Sequence, residues 1–152
     1  MSQPIPEPGY KEIFYNSQAP MLMIGTDAPA YTMLDVNNAY LEATYTKRES
    51  LIGQPVFGVF PANPTDIDSK NIERTIFSFE QAIQTKKVHV MSNYRYDIPI
   101  PGTDQFEERY WTTSNTPVMD SDGNVLYFIH SPSIRTIYCA LLYLLHYYLQ
   151  IL

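Results

Sequence analysis

Cysteine is nearly absent from this chain, with Cys139 standing alone. One thiol can make neither an internal disulfide nor a cysteine-based zinc cluster, and it fits a reducing, cytoplasmic setting. Histidine is almost as sparse. His89, His130 and His146 share no metal-ligand spacing with one another or with Cys139, so no metal site is expected. Basic residues are few and scattered: 10 Lys and Arg stand against 16 Asp and Glu, for a net charge of −6, and the only basic doublets are Lys47-Arg48 and Lys86-Lys87. Phosphate backbones require clustered cations, which excludes nucleic acid as an expected partner. Glycine-rich nucleotide loops are missing, as is a helical hairpin carrying a phosphoacceptor histidine. With no catalytic constellation in view, the chain is not expected to be an enzyme.

Apolar residues are well supplied. At 152 residues and 45% hydrophobic content the chain fits one globular domain with a real core. Tyrosine dominates the aromatics, with 13 copies against 7 Phe and 1 Trp. A ring with a hydroxyl suits half-buried sheet faces, where the oxygen can find a partner.

Residues 1–9 read as a flexible leader, because Pro4, Pro6 and Pro8 withhold backbone donors. No apolar core segment stands there, so no signal peptide is expected. Tyr10–Ser17 reads as a short helix, and Met21–Ile24 and Tyr31–Val36 as short strands joined by a hairpin around Ala28-Pro29. At Asn37 the period changes: its side chain can cap a helix carrying Ala39, Tyr40 and Ala43. Thr46 and Glu49 have the spacing of a capping box before a turn of helix that stops at Gly53. Three prolines between Gln54 and Asp68 leave room for one helical turn at most. The longest helix is predicted over about Ser69–Lys86, with Ile72, Ile76, Phe79 and Ile83 as its buried stripe. Strands follow over Val88–Ile100, Phe106–Met119 and Val125–His130, with a tight turn at Asp120–Gly123. Two strands, several helices and a three-strand meander predict an α+β fold with an antiparallel sheet covered on one face by helices.

Several stretches carry a resemblance. Val36, Asn37, Ala39 and Tyr40, followed by Glu49, Leu51, Ile52, Gly53 and Gln54, resemble a paired motif of PAS domains at matching spacing. Arg95–Ile98, Phe106–Trp111, Asn115–Val118 and Asp122-Gly123 are similar to the PAS subgroup found in bacterial sensor histidine kinases and hybrid kinases. The similarity spans roughly Tyr10 to Ser131. It implies a PAS-like five-stranded antiparallel sheet over 10–133, with short helices and one longer helix on one face. It also implies a sensory or signal-transduction module that forms a homodimer and binds a small molecule or a signalling protein partner. The alternative is a purely structural dimerisation module without a ligand. Tyr45-Thr46 departs from the family's Gly-Tyr after the first helix, and Ser131–Arg135 replaces the acidic residue and following Thr that normally lead to a signalling helix.

If the cavity of such domains is present, Met23, Tyr40, Phe57, Phe77, Tyr94, Tyr110, Asn115 and Phe128 are the candidates for its wall, with ordinary core packing as the competing reading. Haem-binding relatives place a histidine on the long helix, and Ile72–Lys86 has none. Flavin photosensors of this fold carry a reactive cysteine in the helical region, whereas Cys139 lies in the tail. Neither cofactor is expected. Tyr110 and Trp111 are adjacent and must face opposite sides of the sheet. Glu107, Glu108 and Arg109 read as a solvated strand with a cross-strand ion pair, with a docking patch as the second reading.

Residues 134–152 form an apolar tail outside the domain. From Thr136 onward they are apolar on every side, without the stripe of a signalling coiled coil. As a helix this tail reaches roughly 25 Å, short of a ~30 Å bilayer core. Three readings stand: the product of a truncated or frameshifted gene, a membrane contact as a tail anchor, or a helix packed on the open sheet face. The abrupt loss of pattern at Ser133 favours the first.

Overall fold

The computed structural model describes residues 9–66 and 70–134. The expected leader (but for Gly9) and the apolar tail (but for Ile134) lie outside the described residues. Twelve elements follow one another among those described: α1 (Gly9–Asn16), β1 (Leu22–Gly25), β2 (Met33–Val36), α2 (Asn38–Thr44), α3 (Arg48–Leu51), α4 (Val56–Val59), α5 (Asn71–Thr85), β3 (His89–Arg95), β4 (Ile98–Pro99), β5 (Phe106–Glu107), β6 (Tyr110–Met119) and β7 (Val125–Ile134).

Five strands build one antiparallel sheet in the order β2-β1-β7-β6-β3, and β4 pairs with β5 in a small separate ribbon. Helix α5 packs on β3, β6 and β7. The α+β architecture and the five-stranded sheet are those expected from the sequence. Between sheet and helices lie Leu22, Ile24, Tyr31, Met33, Val36, Leu51, Phe79 and Phe128, each at most 1% exposed. Burial of one such side chain stabilises the fold by about 1.5–3 kcal/mol before entropy is counted.

Asn37 is the joint between sheet and helices. Its Oδ1 accepts from the Tyr40 backbone N–H at 3.0 Å, capping α2, and from the Met21 N–H at 2.9 Å, while its Nδ2 donates to the Ala19 carbonyl at 2.8 Å. One fully buried amide thus ties α2 to the entry of β1. The capping box expected at Thr46 and Glu49 does not form. Lys47 is the N-cap of α3 with no side-chain bond, and the Thr46 hydroxyl pairs with that of Thr44 at 2.8 Å instead.

The predicted strand Val88–Ile100 is broken. Pairing of β3 with β6 ends at Arg95 opposite Tyr110, and the chain turns at Tyr96 and Asp97 before β4. Asp97, 2% exposed, accepts from Arg95 Nε and Nη2 at 2.8 and 2.7 Å and from Asn63 Nδ2 at 2.7 Å. A buried carboxylate needs such partners, and turning the backbone brings them to it. Phe106–Met119 is broken likewise at Glu108 and Arg109. There Arg95 meets Glu108 at 3.2 Å across the two segments, the kind of ion pair expected of this stretch, and Arg109 meets Glu107 at 3.0 Å, two residues away along its own segment. The last strand runs four residues beyond its predicted end, because Ser131–Ile134 stays in register with Ser114–Trp111. At the β6–β7 turn, Asp120 Oδ1 accepts from the Asp122 and Asn124 N–H groups at 2.9 and 2.8 Å, and Gly123 takes a φ of 80°.

The buried face of α5 also differs from the predicted stripe. Asn71, Thr75, Ser78, Phe79 and Ala82 are buried, while Ile72, Ile76 and Ile83 are only partly covered. The helix is turned so that small and hydroxyl-bearing side chains join Phe79 of the predicted stripe on the sheet side, while Ile76 and Ile83 pack at the margin of the core. The reason is what the sheet presents there.

Candidate functional site

One rung crosses all five strands on the helix side of the sheet. Val36 pairs with Leu22, Leu22 with His130, His130 with Asn115, and Asn115 with His89. Three neighbours on this rung are polar, and two of them, Asn115 and His130, are buried. Buried polar groups demand partners, and here they find each other. His130 Nδ1 and Asn115 Oδ1 are 2.8 Å apart, Asn115 Nδ2 donates to Ser78 Oγ at 2.8 Å, and Ser78 Oγ lies 2.7 Å from His89 Nδ1. Ser78 faces the sheet to complete this row, which is why α5 turns its hydroxyl face inward.

With Asn115 Oδ1 toward His130, the neutral imidazole carries its proton on Nδ1. Burial pushes the His130 pKa down to about 4, so the ring is neutral at physiological pH. Phe79 and Tyr40 pack edge-on against it, with ring centroids 5.7 and 6.4 Å away.

Beside this row lies a cavity of about 50 Å³ between the sheet and the helices. Helix α2 contributes Tyr40 and Thr44; α4 and the residue after it contribute Val56, Phe57 and Phe60; α5 contributes Thr75 and Phe79. The sheet side supplies Tyr94, Trp111, Thr113, His130 and Pro132, and Tyr96 and Ile98 close the end near β4. Most hydroxyls of this wall are paired: Tyr96 donates to the Phe60 carbonyl at 2.7 Å, Thr44 to the Tyr40 carbonyl at 2.8 Å, and Thr75 to the Asn71 carbonyl at 2.8 Å. Trp111 Nε1 donates to the Tyr96 carbonyl at 2.7 Å. Burial raises the pKa of the Tyr40, Tyr94 and Tyr96 phenols, so all three stay protonated. The cavity thus carries no net charge, and no group of three His, Cys, Asp or Glu able to hold a metal occurs among the described residues.

Of the eight residues singled out from the sequence, Tyr40, Phe57 and Tyr94 line the cavity. Asn115 lies one layer behind it, as the partner of His130, and Phe128 is core, tilted against Phe79 at 4.7 Å. Met23, Phe77 and Tyr110 do not line it. Met23 points away from the helices, between the fully buried Leu22 and Ile24. Phe77 is 55% exposed, edge-on to His89, because the rotation of α5 puts Phe79 inside in its place. Tyr110 takes the outer face and Trp111 the inner one, as period two requires. Parity also carried an unused signal: once Trp111 is inward, Thr113 and Asn115 must be too, and Phe128, His130 and Pro132 follow on β7.

Similar architectures occur among solved structures. An RNA-binding light-oxygen-voltage receptor superposes with a TM-score of 0.65 at 15% identity, over 88% of this chain and 35% of the receptor. The PAS domain of a protein from Colwellia psychrerythraea gives 0.63 at 12% identity, over 84% of this chain and 94% of that domain. The chain has the PAS fold. A sensory box sensor histidine kinase from Vibrio cholerae shares it at a TM-score of 0.56 and 15% identity, over 84% of this chain and 90% of that one. No family model and no curated protein matches the sequence. This PAS-fold chain spans about a third of the length of the light-oxygen-voltage receptor it resembles. No described helix is long and apolar enough to cross a membrane.

A flavin or haem does not fit this PAS cavity. Pockets for such ligands run to roughly 300–1,000 Å³, and here Phe79, Tyr94 and Trp111 fill the space down to about 50 Å³.

Proposed function

We propose that this chain is a non-catalytic sensory module of the PAS type, cytoplasmic and related to the sensor part of two-component histidine kinases. It binds a small molecule in the cavity under α5 and passes the signal to a protein partner as a homodimer. The observation that carries this reading is an uncharged, largely aromatic cavity between sheet and helices, bordered by the polar row His130–Asn115–Ser78–His89. Such a row is more than a filled core needs, and a ligand at one end can be felt at the other. The net charge of −6 disfavours RNA or DNA as the partner. Leu34 on β2 and Val90 on β3, 45% and 52% exposed on the two edge strands, support association between copies.

A second reading has one observation in its favour. A cavity of 50 Å³ is room for only about three waters, at roughly 15 Å³ each, which suits a purely structural dimerisation module. Trp111, the single tryptophan, stands on the cavity wall and reports on it. The test is native mass spectrometry of protein purified from varied growth conditions, with Trp111 fluorescence read during titration of any mass recovered. A bound metabolite that shifts the emission supports the sensor. Only apo protein in every condition returns the structural module, and a monomer by light scattering removes dimerisation from both.

A further inference from the structure

Every fully enclosed polar side-chain atom among the described residues has a hydrogen-bond partner. Two cavity-wall side chains carry a polar atom without one: His130, 8% exposed, uses Nδ1 on Asn115 but has no protein partner for Nε2, and Tyr40, 5% exposed, has none for its hydroxyl. Both atoms therefore border the open space rather than protein. With the Nδ1 proton committed to Asn115, Nε2 offers only a lone pair; the Tyr40 phenol, kept protonated by burial, offers an O–H. The wall thus presents one acceptor and one donor, on two rings whose centroids lie 6.4 Å apart, in a lining whose other hydroxyls are already paired within the protein.

Resting on the sensor reading above, we infer that the cavity selects a small neutral ligand bearing an N–H or O–H, which donates to His130 Nε2, and a carbonyl-type oxygen, which accepts from Tyr40. The volume limits it to a few non-hydrogen atoms, the scale of a small primary amide: about a third of the ~150 Å³ of an engineered cavity that takes benzene. Anions are rejected because the wall carries no cation, and cations because His130 resists protonation and no carboxylate lines the space. Asn115 acts here as a positioning residue, since it fixes which ring nitrogen carries the proton.

The experiment compares formamide with acetonitrile, each of three non-hydrogen atoms, only the first having an N–H. Binding is followed on the 15N-labelled wild-type domain through the imidazole nitrogens of His130 and through Trp111 fluorescence. The expected result is an unprotonated Nε2 in the free protein, a formamide-induced shift of that nitrogen, and binding at least about tenfold tighter for formamide, the factor for one well-formed buried hydrogen bond. In His130→Phe the ratio falls to within about twofold. Equal binding of both probes, or a proton found on Nε2 of the free protein, overturns the donor-selective ligand class while leaving a ligand-binding cavity. Neither probe binding overturns the sensor reading itself. The wild-type ratio and the nitrogen shifts decide the matter even if the Phe variant does not fold.

Discussion

Replacing Asn115 with Leu tests whether the polar row holds the sheet to α5. The side chain is 0% exposed and makes two hydrogen bonds of 2.8 Å, one with His130 and one with Ser78. Leucine has the same branched arrangement of four heavy atoms and is somewhat bulkier, so no cavity opens and the main cost is polar. His130 Nδ1–H loses its acceptor inside the protein, at about 1–3 kcal/mol, and Ser78 loses one donor, at about 1 kcal/mol. The greater apolar area of leucine returns about 1 kcal/mol. The net expectation is a loss of about 1–3 kcal/mol, read as a lower urea midpoint with an unchanged slope. Ser78→Ala supplies the control, because the two residues share a bond. In the Asn115→Leu background the alanine change should cost about 1 kcal/mol less than in the wild type, a coupling that separate sites do not show. A loss under about 0.5 kcal/mol for Asn115→Leu, or strict additivity with Ser78→Ala, would falsify the account of the row as one unit.

The same row sets a pH dependence. His130 binds its proton only near pH 4 in the folded state, against 6.5 for an ordinary imidazole; the unfolded chain therefore takes up the proton first as pH falls. Stability is undiminished above about pH 6.5 and declines by up to about 3 kcal/mol by pH 4, and chemical denaturation at pH 7, 5.5 and 4 should show that slope flattened in His130→Phe. Asp97 behaves oppositely. Burial pushes its pKa up, but the bonds from Arg95 and Asn63 outweigh this and hold it below the usual carboxylate value, so its contribution persists above about pH 4 and disappears only at lower pH. Asp97→Asn should cost about 1–2 kcal/mol at pH 7, discounted because Arg95 is partly solvated, and the loss should shrink at pH 3. Asn37→Ala removes the cap of α2 together with its bonds to Met21 and Ala19, for a loss of about 2–4 kcal/mol in thermal or urea unfolding; a change under 1 kcal/mol would show that water replaces the amide.

The order of elements, the Asn37 cap, the antiparallel meander and the opposed faces of Tyr110 and Trp111 were all legible in one dimension. Each of these is set by residues within a few positions of one another, through period, capping chemistry or turn chemistry. Tyr40, Phe57 and Tyr94 were legible as cavity wall because the family resemblance carried them. What depends on distant partners was settled by packing. Which face of α5 is buried follows from His89, Asn115 and His130 meeting on one rung, so Thr75 and Ser78 join Phe79 inside and the isoleucines of the predicted stripe move to the margin of the core. The long strands break where Asp97 must gather Arg95 and Asn63, a need that hydrophobic alternation does not register. His130 reads in one dimension as a lone histidine in a strand. Only strand pairing places Asn115 at its Nδ1 and leaves Nε2 facing open space, because a hydrogen bond between residues fifteen apart is made by the sheet and not by the local chain.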